Sequence, residues 1–190
     1  MNFSIELETP NVKLRPIQED DFEHLLSLTK DESLWIYFTS DLSVPEILKE
    51  WVNEAVAQTL AKTRLAFTIL DKKNNRVIGS TSFGNISFHD KRIEIGWTWI
   101  GRDFQGKGFN GQIKYLMIKY CFEELEFERV ELKTDVLNLP ARKAMIRLGL
   151  KEEGILRSHT LMTHNRRRDT IYYSVLKSEW AELKAKNNWL

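Results

Sequence analysis

Apolar positions recur along the chain with either a helical or a strand period, and the switches between the two predict the order of elements. Val12-Lys-Leu-Arg15 reads as a short strand closed by Pro16, followed by a helix carrying Phe22, Leu25, Leu26 and Thr29 on one side. A second helix starts where Ser43 and Glu46 stand at capping-box spacing with Pro45 in the first turn. Its apolar stripe is Ile47, Trp51, Val52, Ala55 and Val56, running toward Leu60. Leu65–Leu70 and Val77–Phe83 then read as strands joined by Asp71-Lys-Lys-Asn-Asn75, a polar turn whose residues tolerate left-handed geometry. Lys91–Ile100 alternates strictly, with Ile93, Ile95, Trp97 and Trp99 on one face and Arg92, Glu94, Gly96 and Thr98 on the other. One face belongs to the core, so the polar face must meet water, a ligand or another element.

The Gly-rich turn Gln105–Gly111 leads into a helix whose buried side is Ile113, Leu116, Met117, Tyr120 and Cys121, and strand Arg129–Thr134 follows. Asn138 caps a further helix with the stripe Ala141, Ala144, Met145 and Leu148, stopped by Gly149 as a left-handed residue. The last two strands, Lys151–Arg157 and Asp169–Lys177, face each other across a basic loop. A central βαβ crossover between antiparallel hairpins predicts an α/β (mixed α+β) fold, with about seven strands in one mixed sheet and helices on both faces. The expected organisation is a single domain over residues 1–190.

Composition narrows the function classes. Hydrophobic residues make up 42% and charged residues 29%, the balance of a folded globular chain. A net charge of +1, from 28 basic and 27 acidic side chains, gives no electrostatic case for nucleic acid or for a membrane surface. The opening Met1–Glu8 has neither the basic start nor the apolar run of a secretory signal. No stretch reaches the ~20 apolar residues of a membrane span. The single cysteine, Cys121, rules out an internal disulfide and fits a reducing, cytoplasmic setting. His24, His89, His159 and His164 show no metal-ligand spacing, so no metal site is expected. The sequence does not fix an oligomeric state, and a homodimer is compatible with it.

The chemistry-bearing motif is Gln105-Gly-Lys-Gly-Phe-Asn-Gly111, between an apolar strand and an amphipathic helix. Its glycines let the backbone approach a ligand and turn N–H groups inward, while the helix N-terminus adds unpaired donors and the positive end of its dipole. That is the chemistry of a pyrophosphate cradle, although a plain strand-to-helix turn uses the same glycines. The Gly-Lys-Ser/Thr ending of a magnesium-nucleotide loop is absent, and the spacing is not that of the dinucleotide fingerprint.

These residues resemble the signature Gln/Arg-x-x-Gly-x-Gly/Ala of the GNAT superfamily of acyl-CoA N-acyltransferases. They match at Gln105 and Gly108 and carry Asn110 where the family has Gly or Ala. Asn138-Leu-Pro-Ala-Arg-Lys-Ala-Met-Ile-Arg-Leu-Gly149 resembles a second family block, with Leu150 in place of Phe. Leu14-Arg15-Pro16, Asp20-Asp21 and Arg166–Trp180 resemble the RimJ/RimL-like branch, named for ribosomal-protein N-terminal acetyltransferases. The resemblance implies acetyl-CoA as co-substrate. Its pantetheine arm would lie along the backbone of Thr98, Trp99 and Ile100, with Asn138 near the thioester. Its pyrophosphate would sit in the loop of Gln105, Gly106, Lys107, Gly108, Phe109, Asn110 and Gly111. It further implies direct transfer to a primary amine in a ternary complex. Within this branch a protein or peptide N-terminal amine is favoured over a polyamine or an antibiotic. A non-catalytic acyl-CoA-binding module is the reading from a different class.

Glu94 stands eleven positions before Gln105, the offset of the general-base glutamate in the histone-acetylating relatives. The bland alternative is a strand glutamate paired with Arg92 or another neighbour, or one shaping the acceptor pocket. Relatives place an acidic tyrosine or serine where this chain has Met145 or Ala141, and neither donates a proton. Water, the ammonium product, Tyr172 or Tyr173 are left for that role. Cys121 falls on a buried helical stripe and is expected to pack. Arg166-Arg167-Arg168, followed at once by Asp169, is expected to form a solvated hairpin loop, with an acidic substrate or RNA as the alternative contact. Trp35 and Trp51 are candidates to line an acceptor pocket.

Overall fold

The sheet grows from hairpins whose turns carry the residues that such turns require. In the computed structural model, residues 1–189 are described, with only the backbone at His164. Leu190, the last residue of the expected domain, lies outside the described residues, as does the side chain of His164. The strands are β1 (Leu7–Glu8), β2 (Val12–Pro16), β3 (Leu65–Asp71), β4 (Arg76–Ser87), β5 (Arg92–Ile100), β6 (Arg129–Asp135), β7 (Lys151–Leu161) and β8 (Arg167–Leu176). They form one sheet in the order β1-β2-β3-β4-β5-β6-β8-β7. Every neighbouring pair is antiparallel except β5–β6, which is parallel. The mixed sheet thus has eight strands, the two-residue edge strand β1 being the addition to those read from periodicity.

The helices are α1 (Asp21–Leu26), α2 (Pro45–Leu60), α3 (Phe109–Lys119), α4 (Leu139–Leu148) and α5 (Trp180–Asn187). One core cluster joins Phe67, Phe83, Ile93 and Ile95 of the sheet to Ile113 and Met117 of α3 and to Trp180 and Leu183 of α5. The other joins Ala66 and Trp99, from the opposite face of the same strands, to Leu25 of α1 and to Leu48, Trp51 and Val52 of α2. Asp21 anchors that second layer. Its buried carboxylate accepts from Arg15, from the Thr68 hydroxyl at 2.6 Å and from the Gln18 N–H at 2.8 Å, so the Arg15 and Asp21 of the N-terminal blocks meet in one network.

Two local expectations change. Ser43 does not cap α2; its N–H and hydroxyl turn to the Asp41 carboxylate, and Val44 takes the cap position ahead of Pro45. The buried stripe is Leu48, Trp51, Val52, Ala55 and Thr59, while Ile47 and Leu60 are 37% and 78% exposed. Ile47 and Leu48 are both apolar, so periodicity alone could not choose between them. The Thr59 hydroxyl decides the matter by donating to the Ala55 carbonyl and accepting from the Ala66 N–H of β3. Asn138 does cap α4, its Oδ1 accepting from the Ala141 N–H at 3.2 Å, and Gly149 ends that helix at φ 106°.

Candidate active site

The parallel pairing of β5 with β6 lasts only from Arg92↔Arg129 through Ile93↔Val130 to Glu94↔Glu131. Beyond Glu94 the strands part, and a cleft of 420 Å³ opens between them. On its other edge β5 carries a bulge against β4. Ser82 faces Gly96 and Ser80 faces Trp99, so Trp97 and Thr98 together oppose Thr81. Trp97 sits at φ 52°, a left-handed conformation that costs a bulky residue roughly 1–3 kcal/mol. Its ring is held in place. The Arg64 guanidinium stacks 4.5 Å from the Trp97 ring centroid and 5.2 Å from that of Trp51, while its Nε donates to Ser82 Oγ. Burial lowers the Arg64 guanidinium to about 10. A Cβ at Gly84 would lie 2.5 Å from the same indole, so only glycine fits beneath it.

The bulge overturns the strict alternation expected of this strand. Ile93 and Ile95 face the α3 layer, but the extra residue moves Trp99 to the α2 layer and turns Ile100 to the α3 side. Thr98 turns the same way; its hydroxyl meets that of Thr81 at 2.7 Å and accepts from Lys114 Nζ of α3 at 2.9 Å.

Gly106 and Gly108 have φ 73° and 81°, and Gly108 is the residue ahead of α3. Among the described residues the N–H groups of Gly106, Lys107 and Gly108 donate no hydrogen bond. Among the described residues, a Cβ at Gly106, Gly108 or Gly111 would meet nothing within 4 Å. The turn therefore presents free donors and the positive end of α3 to open space, the arrangement that takes a phosphate group. Gln105 folds inward, its Nε2 donating to the Ile100 carbonyl at 2.9 Å, which ties the loop to the end of β5. Lys107 lies over the Phe104 ring, which packs edge-on against Phe109. Asn110 and Asn138 both line the cleft, as do Glu94 and Thr98, whereas the side chains of Trp99 and Ile100 are buried in the two cores.

Glu94 is 3% exposed. Its Oε2 accepts from Asn85 Nδ2 at 2.6 Å and pairs with Lys133 Nζ at 2.9 Å. Oε1 has no partner among the described residues and lies 2.8 Å from where a Gly96 Cβ would stand, so Gly96 leaves it room. One oxygen is fixed and the other is open to the cleft. Arg92, the alternative partner, turns instead to Asp90 and Glu131.

The residue-11 to residue-151 span of the chain matches the family model described as the acetyltransferase (GNAT) domain. The chain belongs to the GNAT acetyltransferase family. An uncharacterized N-acetyltransferase, p20, of Bacillus licheniformis is 29% identical over 179 residues, covering 92% of this chain and 98% of its own. A GCN5-related N-acetyltransferase of Brucella melitensis superposes with a TM-score of 0.89 at 25% identity, over 98% of this chain and 85% of that one.

Several expected residues of this GNAT chain stand elsewhere than the sequence suggested. Trp35 and Trp51 are core anchors, stacked edge-on against Trp99 at 5.3 and 6.4 Å between centroids. Tyr37, Phe38 and Thr39 line the cleft in their place. The Tyr173 hydroxyl is fully engaged between Arg142 and Glu152, and neither it nor Tyr172 lines the cleft. Cys121 is completely buried, and burial pushes its thiol well above its ordinary range, as core packing requires. The arginine run is not uniformly solvated. Arg166 pairs with the buried Asp135 and Arg167 bonds Ser158, but Arg168 is 7% exposed and faces the cleft.

Sequence reasoning missed Lys114. It is the one charged position within Ile113–Ile118, and a buried lysine leaves no other trace in a helical pattern. It is 6% exposed, lines the cleft and makes no ion pair among the described residues, and burial lowers its ammonium to about 7. In the unfolded chain the same group titrates near 10.5. Between those values the unfolded state holds a proton that the folded state has lost, so folding stability rises with pH. Lys114→Met is expected to raise stability at neutral pH by roughly 2–4 kcal/mol and to flatten that rise. Urea melts of both proteins between about pH 7 and pH 10 read the difference, and parallel pH profiles would refute it.

Proposed function

We infer that this protein is an acetyl-CoA-dependent N-acetyltransferase that transfers acetyl directly to a primary amine, within the RimJ/RimL-like branch. One observation carries the reading: the splayed β5–β6 edge and the open oxygen of Glu94 share a single cleft, which the glycine turn ahead of α3 reaches through Asn110. The free N–H groups of Gly106, Lys107 and Gly108 suit the pyrophosphate of the co-substrate, and Thr98, Asn138 and the parted strand edge suit its pantetheine arm. When bound, acetyl-CoA supplies the activated thioester.

Glu94 Oε1 takes a proton from the incoming amine as the N–C bond forms, and the C–S bond then breaks. Lys133 and Asn85 hold the other carboxylate oxygen, so the base keeps its orientation. The leaving sulfur takes up a proton from water, since Ala141 and Met145 offer none. A near-balanced net charge and a lone, buried Cys121 accord with a cytoplasmic enzyme.

The acceptor is a peptide or protein α-amine. Such an amine titrates near ~7.7–8.0 against ~10.4 for a lysine side chain, so much more of it is neutral at physiological pH. The chain's near-zero net charge does not favour polycations. Comparing kcat/KM for short peptides with free and blocked N-termini, spermidine and an aminoglycoside tests this. Free N-termini are expected to lead by about tenfold, a margin of ~1.4 kcal/mol in transition-state binding. Lysine-bearing blocked peptides or polyamines in the lead would transfer the assignment to those amines. Acetyl-CoA binding with no turnover on any amine would leave a binding module.

A further inference from the structure

Among the described residues of the cleft, Arg168 is a cation to which the transfer chemistry gives no role. Arg168 belongs to β8, just past the point where β6 ends at Asp135, and pairs with Thr160 of β7. It is 93% buried by its exposure of 7%, and it lines the cleft. Its Nε donates to Thr170 Oγ1 at 2.9 Å, while its two terminal nitrogens donate no hydrogen bond among the described residues. The nearby carboxylates are already committed: Asp135 to Arg166, and Glu94 to Lys133. Arg168 is thus a surplus positive charge, with the free fork of its guanidinium beside open space. Burying such a group without a partner is costly, and a planar fork is the best protein match for a carboxylate.

The same face of the sheet carries Glu94 and Lys133, with Tyr37 and Thr39 reaching the cleft from the loop before α2. The amine and the anion of one acceptor could therefore lie in one cavity, the first against Glu94 and the second against Arg168.

We propose that Arg168 is the carboxylate-binding residue of the acceptor site, and that the acceptor carries a carboxylate close to its reacting α-amine. This rests on the acetyltransferase reading above, keeps its α-amine, and adds a neighbouring carboxylate whose source, peptide or free amino acid, the experiment decides. Two sources supply the group: an acidic first side chain on a peptide, or the α-carboxylate of a free amino acid.

The test uses matched pairs that differ only in that group. Glutamyl- and glutaminyl-peptides form one arm, and a free amino acid with its carboxamide forms the other. The wild-type protein is expected to favour the carboxylate member of at least one pair by about tenfold or more in kcat/KM. Whichever arm has the preference identifies the source. Arg168→Gln should erase the preference while leaving the neutral member and the affinity for acetyl-CoA within about twofold. Arg168→Lys keeps the charge but loses the fork, and should retain only part of it.

A readout that needs no turnover accompanies the kinetics. The acetylated glutamyl-peptide and the acetylated free amino acid should each be measured by calorimetry against its own amide. At least one carboxylate form should bind wild type about tenfold more tightly than its amide, and Arg168→Gln no better than its amide. No carboxylate preference in either arm of the wild type overturns the proposal. So does an Arg168→Gln protein that loses both members equally, or one that loses acetyl-CoA, which would make Arg168 a co-substrate contact. If no amine is turned over yet the acetylated ligands discriminate as described, the transfer reading fails and the anion site stands.

Discussion

Replacing Glu94 by glutamine is expected to lower kcat by roughly 10²–10⁴-fold while leaving acetyl-CoA affinity unchanged. The carboxylate reaches the cleft from β5 with Oε2 clamped by Asn85 and Lys133 and Oε1 without a partner. A glutamine can still accept from Lys133 through its carbonyl oxygen, so the local packing survives, but its amide cannot accept the amine's proton. The loss should be larger for acceptors of high pKa, because an amine near ~10.4 arrives protonated far more often than one near ~7.7–8.0. Steady-state kinetics with one acceptor of each kind measure both effects. A Glu94→Gln enzyme running at full rate would reduce the residue to an anchor for Lys133.

Gly108→Val is expected to reduce acetyl-CoA affinity by more than about a hundredfold without unfolding the protein. At φ 81° a β-branched side chain is strained by roughly 1–2 kcal/mol, which lowers Tm by a few degrees. Among the described residues nothing beyond the chain neighbours lies within 4 Å of a Cβ there, so the first atom of the new side chain is not obstructed. The volume it fills is the space in front of the free N–H groups of the turn. Calorimetry on the folded variant decides the matter: unchanged affinity would remove the turn from the co-substrate site.

Much of the architecture could be read from the chain because its strands alternate cleanly and its caps obey local rules. Asn138 and Gly149 act at the positions that their side-chain chemistry predicts. The misreadings share a cause. Ile47 and Leu48 compete as neighbours, and only the tie from Thr59 to β3 selects the face. The β5 bulge is set by Gly84, Arg64 and Trp51, far from Trp97 in sequence, so a two-residue alternation drawn through Trp97 puts Thr98 and Trp99 on the wrong sides. α5 went unseen because its buried anchors are only Trp180 and Leu183 amid polar residues. Within the cleft, Glu94, Asn110 and Asn138 were legible from motif spacing. Lys114 and Arg168 were not, because a charged residue in a pattern says nothing of its burial.

The bulge at Trp97 makes β5 a strand with two phases. Before it, Glu94 shares a face with Gly96; after it, the parity of the chain is reversed, and Thr98 looks across the sheet from them. A single strand thereby presents polar side chains to one cleft from both of its faces, Glu94 from one and Thr98 from the other. Losing Trp97, the one residue between Gly96 and Thr98, would restore uniform alternation with Thr98 still across the sheet from Glu94, but would remove the kink and shorten the reach to the glycine turn. Losing Trp97 and Thr98 together would reverse the parity, turning Trp99 and Ile100 to each other's layers. The segment should therefore tolerate substitutions that keep the kink, such as Trp97→Phe, far better than any change in its length.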